Sequence, residues 1–202
     1  MSEATVKTPS PAEFLEAQVG PRFSALVADV ERRLAQVEKE LDELRGAAGT
    51  ICWQVEGSAP AYFNFAAGSA QIAATAAAPP VMTVNMSTVD WERFTSGQVG
   101  GGLLEGGGRS GFGKSRLARL EPLRGTVRFT LTGLPSGGDW CVDLGLNCVP
   151  AEQPTATITM PAEIAAEIQS GTLNPQMAFM QGKVKVLGDA GLVMQLGMAM
   201  FM

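Results

Sequence analysis

Residues 170–196 read SGTLNPQMAFMQGKVKVLGDAGLVMQL, and the fold of this chain turns on them. Asn174-Pro175 gives a turn, and Pro175 is suited to the first position of a short helix, on which Gln176, Met177, Phe179 and Met180 follow. Lys183 to Val186 alternates like a short strand, and Gly188 introduces a last apolar helix with Leu192, Met194 and Leu196. No acid, base or nucleophile stands at the centre of the segment. Six of the ten methionines fall at Met177, Met180, Met194, Met198, Met200 and Met202. Methionine fills irregular gaps and tolerates changing partners, so the segment reads as one that closes an apolar space, either a plain core or a site for a flexible apolar ligand.

Composition narrows the classes of function. The chain has 202 residues and 46% hydrophobic content, enough for one large domain or two small ones. A net charge of −5, with 15 scattered Lys and Arg, argues against a nucleic-acid partner. The sequence has no His, which removes Ser-His and Cys-His nucleophile pairs and the commonest transition-metal ligand together. Asp139, Asp143 and Glu152 form no recognisable acid–base pair, so no catalytic residue, metal or cofactor is expected. Cys52, Cys141 and Cys148 show no paired spacing and read as reduced thiols. With no apolar run long enough to span a bilayer and no leader pattern, the expectation is a cytoplasmic protein without stable membrane insertion.

Working outward to the N-terminus, residues 1–9 read as a lead-in without structure. Ser10, Pro11 and Glu13 then open a short helix. From Phe23 the apolar residues fall at Val27, Val30, Leu34, Val37, Leu41 and Leu44, a strict alternation of four and three with charged residues between, and Gly46 ends the run. The spacing predicts one long amphipathic helix within a helical segment 10–46. Its stripe either packs on its own domain or pairs with a second subunit, giving a possible homodimer through residues 23–44.

The middle of the chain repeats itself. Thr50 to Gly57 (TICWQVEG) and Thr126 to Gly133 (TVRFTLTG) agree position by position, Trp140 to Leu144 answers Ala61 to Phe65, and Met86 to Gly97 lies over Met160 to Gly171 without a gap. Gly113 to Leu120 falls over Gly188 to Leu196. Repeats of this kind outrank local motifs as a guide to architecture. The chain therefore reads as two copies of one α+β unit, 47–122 and 123–202. Gly108 to Ser115 satisfies GxxxxGK[ST], but what precedes it has too few apolar residues for the buried strand that a phosphate-binding loop requires.

Thr157 to Met160, Ser170-Gly171, Leu173-Asn174-Pro175, Ala178-Phe179-Met180, Gly182 to Val186, Gly188-Asp189 and Gly191-Leu192, in this order, resemble the sterol carrier protein type 2 domain family, as does Trp140 to Leu144 upstream. The resemblance runs from Gly125 to Leu196. It implies an α+β fold: a curved, mostly antiparallel sheet covered by helices around an apolar tunnel for fatty acyl chains, acyl-CoA, phospholipids or sterols. The first copy is divergent, lacking Leu-Asn-Pro and carrying glycines in place of Ala-Phe-Met. By resemblance the chain is a non-catalytic lipid-binding or lipid-transfer protein. Its ligand residues in the second copy are then Gln176, Met177, Phe179, Met180, Leu192 and Met194. A long acyl chain buried there supplies on the order of ten kcal/mol before ordering costs. The alternative is a structural or interaction protein with collapsed cavities that assembles through helix 23–44.

Overall fold

The structure is a computed structural model and describes residues 20–99 and 112–201. The expected helix after Ser10 and most of the glycine-rich stretch lie outside the described residues. The chain divides after Asp42 into two compact units.

The first unit is carried by helix α1 (Gly20–Arg45), which continues into the second. Its charged positions support it locally: Arg32 pairs with Asp29 at 3.0 Å and Gln36 donates to Glu40 at 3.0 Å, each one turn apart. The predicted stripe is exposed throughout, from Val27 at 40% to Phe23 at 67%.

The second unit runs through β1 (Ala48–Val55), β2 (Ala61–Ala66), β3 (Ser69–Ala73), β4 (Met82–Met86), α2 (Thr88–Thr95), α3 (Lys114–Leu120), β5 (Gly125–Thr132), β6 (Trp140–Leu146), β7 (Ala156–Pro161), α4 (Ala162–Gln169), α5 (Pro175–Met180), β8 (Lys185–Gly188) and α6 (Ala190–Phe201). The strands make one open eight-stranded sheet in the order β3-β2-β1-β4-β6-β5-β7-β8. Five of its seven pairings are antiparallel; β1 with β4 and β5 with β7 are parallel.

Alternation sorts the sheet into two faces. The register lines up Ile51, Met82, Leu146 and, further along, Trp53, Val84, Leu144, Val127 and Ala156 on one face. Gln54, Asn85, Asp143, Arg128 and Thr157 share the other. The apolar face holds the core, to which α6 contributes Leu192, Leu196, Ala199 and Met200. On the polar face Arg128 reaches across to Asp143 with two bonds of 2.7 and 2.8 Å, a fork geometry that holds β5 to β6.

The two halves of the sheet repeat specific hydrogen bonds. The Thr50 carbonyl accepts from Val81 N–H at 2.9 Å, and the Thr126 carbonyl from Thr155 N–H at 2.8 Å. Each threonine hydroxyl also accepts from its own returning connection, from Ala78 N–H at 3.3 Å and from Ala151 N–H at 2.8 Å. The ladder shifts one sequence correspondence by two residues. Ile51 faces Phe63 as Val127 faces Leu144, so Leu144 answers Phe63, not Phe65. A second difference is β3, where the sequence offered no signal: Ala67 (φ 50°) and Gly68 (φ 75°) form a tight turn with both central residues left-handed, the geometry that matches strand twist.

Candidate functional site

In the segment 170–196, Asn174 caps α5, its side chain accepting from Gln176 N–H at 2.8 Å and Met177 N–H at 3.4 Å, with Pro175 behind it at the first helical position. Ala178 is completely buried, and its carbonyl accepts from Lys183 N–H at 2.9 Å, which turns the chain back toward β8. Within α5 only this small side chain is buried. Gln176, Met177, Phe179 and Met180 are exposed, Phe179 at 55% and Met180 at 79%. On α6, Leu192 enters the core while Met194 is 67% exposed. Of the six residues singled out by sequence, Leu192 alone is buried, and the other five stand at the surface of the C-terminal half. Met177, Phe179 and Met180 of α5 and Met194 and Met198 of α6 thus leave large apolar side chains in water.

A second apolar feature lies over the N-terminal half of the sheet and was not legible beforehand. Ile51 and Trp53 of β1, Phe63 and Phe65 of β2 and Met82 of β4 share one face, and between them and Leu44, Ala47 and Phe112 runs a groove of about 480 Å³. Its far rim is the β2–β3 hairpin, with Ala66, Gly68, Ser69 and Ala70. The rings are arrayed in contact: Phe63 and Phe65 centroids are 5.4 Å apart, Phe65 and Phe112 6.3 Å, and Trp53 stands 6.0 Å from both Trp91 and Phe94. Gly49 faces Phe65, and a Cβ there would come within 3.1 Å of the ring, so glycine gives Phe65 room to lie across β1 without shifting. The available signal was the clustering of five aromatics in β1, β2 and at residue 112, which composition at 6% aromatic makes conspicuous.

The remaining polar chemistry is structural. At the start of α3, the Glu43 carboxylate accepts from Ser115 N–H at 2.9 Å and from the Ser115 hydroxyl at 2.7 Å. A carboxylate thus occupies the helix end where a phosphate loop would need its anion; Gly108 to Gly111 lie outside the described residues. Burial pushes the Cys52 and Cys141 thiols above their ordinary range, away from the reactive thiolate. All three cysteines are free. Among the described residues no cluster of His, Cys, Asp and Glu could hold a metal ion, and no helix is long and apolar enough to cross a membrane.

Comparison with known proteins follows the same division of the chain. The sterol carrier protein domain 2 of Helicoverpa armigera is 33% identical, covering 39% of this chain and 67% of that one, with a TM-score of 0.32. Hydroxysteroid dehydrogenase-like protein 2 of Xenopus tropicalis is 37% identical over 83 residues, and its namesake in Bos taurus 35% identical over 83 residues; each alignment covers 38% of this chain and 20% of the relative. The chain spans about a fifth of the length of these curated relatives. Residues 111–200 match the model of the SCP-2 sterol transfer family. That range holds the Asn-capped α5, the β5–β8 ladder and the core-forming α6, and on the strength of the match residues 111–200 of this chain are an SCP2-like domain.

Proposed function

We propose that this protein is a non-catalytic lipid-binding or lipid-transfer protein that holds an acyl chain, acyl-CoA or sterol-like ligand in its C-terminal half. The observation that carries the reading is the match of residues 111–200 to the SCP-2 sterol transfer family. The exposed side chains of Met177, Phe179, Met180 and Met194 support it, because a bound chain covering them removes apolar surface from water at ~25 cal/mol per Å². In this reading Leu192 is the floor of the site, and Gln176 holds the polar end of the ligand. Residues 47–122 and 123–202 are two copies of one unit, a reading supported by the matching bonds at Thr50 and Thr126. Free thiols at all three cysteines suit a reducing compartment, and we assign the protein to the cytoplasm.

The test is displacement of a fluorescent fatty acid from the full chain. Saturable uptake in the micromolar range is expected, and Phe179→Asp removes the share of it held by residues 170–201 while leaving the far-ultraviolet circular dichroism unchanged. Absence of uptake by the wild-type protein overturns the reading.

A second reading, assembly through α1, is favoured by the exposed stripe and its flanking charges. Val27, Leu34 and Leu41 alternate with Phe23, Val30, Val37 and Leu44 as the two core positions of a heptad. A parallel pairing of two copies sets Arg33 beside Glu38 of the second copy, and in that arrangement Val30→Cys is expected to form a disulfide-linked dimer on mild oxidation that the wild-type chain does not form. Light scattering that finds a strict monomer at micromolar concentration ends this reading.

A further inference from the structure

Apart from Phe112, the residues lining the groove over β1, β2 and β4 lie outside the range that matches the family, and the groove does not depend on the C-terminal site proposed above. We propose that it is a second, separate binding site, and that it takes a long-chain fatty acid with its carboxylate at Arg45. Three features of the groove carry this.

The floor is preformed. Ile51, Trp53, Phe63, Phe65 and Met82 stand on three adjacent strands whose ladder fixes their spacing, so little is spent on ordering the site when a ligand enters. Trp53, Phe63, Phe65 and Phe112 are all only half-buried, so their faces are not consumed by the core. Its volume of about 480 Å³ falls within the roughly 300–1,000 Å³ of small-molecule sites.

The lining selects an aliphatic chain. Among the described lining residues none is charged, and of these Ser69 alone supplies a side-chain hydroxyl. A ligand with polar groups along its length would lose its hydration without recovering hydrogen bonds, a cost that a methylene chain avoids.

One end of the groove differs from the rest. Ala66, Gly68, Ser69 and Ala70 are all small, which leaves this rim low, and the start of the Arg45 side chain lies against it: its Cγ would lie 3.2 Å from a Cβ at Gly68. Arg45 is exposed, so its guanidinium keeps its hydration until a ligand arrives. A cation beside an otherwise uncharged apolar slot pairs with an anionic head group, and a carboxylate accepts from the planar fork in two bonds. A sterol hydroxyl offers no such charge.

The experiment is photolabelling of the full-length protein with a palmitate analogue carrying a mid-chain diazirine, followed by peptide mapping. Label is expected within residues 44–82 and at Phe112, and Phe179→Asp leaves that label in place. Ala70→Trp, which puts an indole over the low rim, is expected to lower palmitate affinity at this site by about tenfold, ~1.4 kcal/mol. Arg45→Gln weakens palmitate several-fold but leaves the corresponding fatty alcohol unaffected, which separates the charge from the apolar slot. Label confined to residues 170–201 overturns the proposal and leaves the C-terminal reading standing. No label anywhere removes both. Equal labelling of residues 44–82 in wild type and a folded Ala70→Trp, or equal loss of acid and alcohol in Arg45→Gln, also overturns it.

Discussion

Ile51 and Val127 hold corresponding places in the ladder, opposite Phe63 and Leu144 on one side and Met82 and Ala156 on the other. Around Val127 the apolar face is closed: Leu192, Leu196, Ala199 and Met200 of α6 join the core there, and Val127 has no exposed surface. Beside Ile51, among the described residues, aromatic rings on the same face line a groove. Helix α3, just ahead of β5, packs on α6 itself. The difference separates two jobs of sequence. Strand alternation and threonine bonds fix the sheet in both halves, while the residues laid over it decide whether the face becomes core or cavity.

Substitutions at two of the three tryptophans, Trp140 and Trp53, test that contrast most strongly. Trp140 has no exposed surface and its indole donates to the Asp90 carbonyl at 3.0 Å, so Trp140→Ala is expected to cost roughly 3–5 kcal/mol in urea unfolding. Trp53→Ala, in the groove, removes a half-buried side chain and is expected to cost about half as much. Equal losses would mean that the groove is ordinary core. Next in size is Glu43→Ala. It removes two hydrogen bonds from the start of α3, with an expected loss of about 1 kcal/mol read from the same unfolding curves. No change would show that α3 is held by its apolar face alone, through Leu117 and Leu120. The smallest effect is expected at the groove's rim. Ala67 bears a side chain at a left-handed φ of 50°, so Ala67→Gly is expected to raise stability by about 0.5 kcal/mol, measured as a shift of the urea midpoint, since the relief of strain is partly offset by a looser unfolded chain.

Much of this fold was legible in the sequence because its signals are local. The period of α1, the alternation in β1 and β5, and the Asn174-Pro175 start of α5 all depend on residues within a turn or two of one another. β3 was not, because Ser69 to Ala73 alternates only small residues with Gln71 and Ile72, and its presence depends on pairing with β2. Nor was the pairing of β4 with β6, which joins residues some sixty positions apart and leaves no periodic trace. At the C-terminal site the sequence picked out the apolar side chains of 170–196 but not which of them would face inward. That is settled by the depth at which Ala178 seats α5, a matter of packing and not of spacing. The groove was missed for a related reason: it is assembled from three strands, the end of α1 and Phe112, none of which carries a signature alone.

The bonds between β4 and β6, Met82 with Leu146 through Asn85 with Asp143, run down the middle of the sheet. Cutting the chain between residues 122 and 123 would therefore not release two modules. It would bare a full-length strand on each fragment, with unpaired N–H and C=O groups flanked by Val84 and Leu144, the kind of edge that invites other chains to add to it. The fragments would tend to find each other, or themselves, and a mixture of the two would be expected to reassemble the sheet across that break. The two halves are thereby tied into one sheet, and neither can leave it without baring that edge.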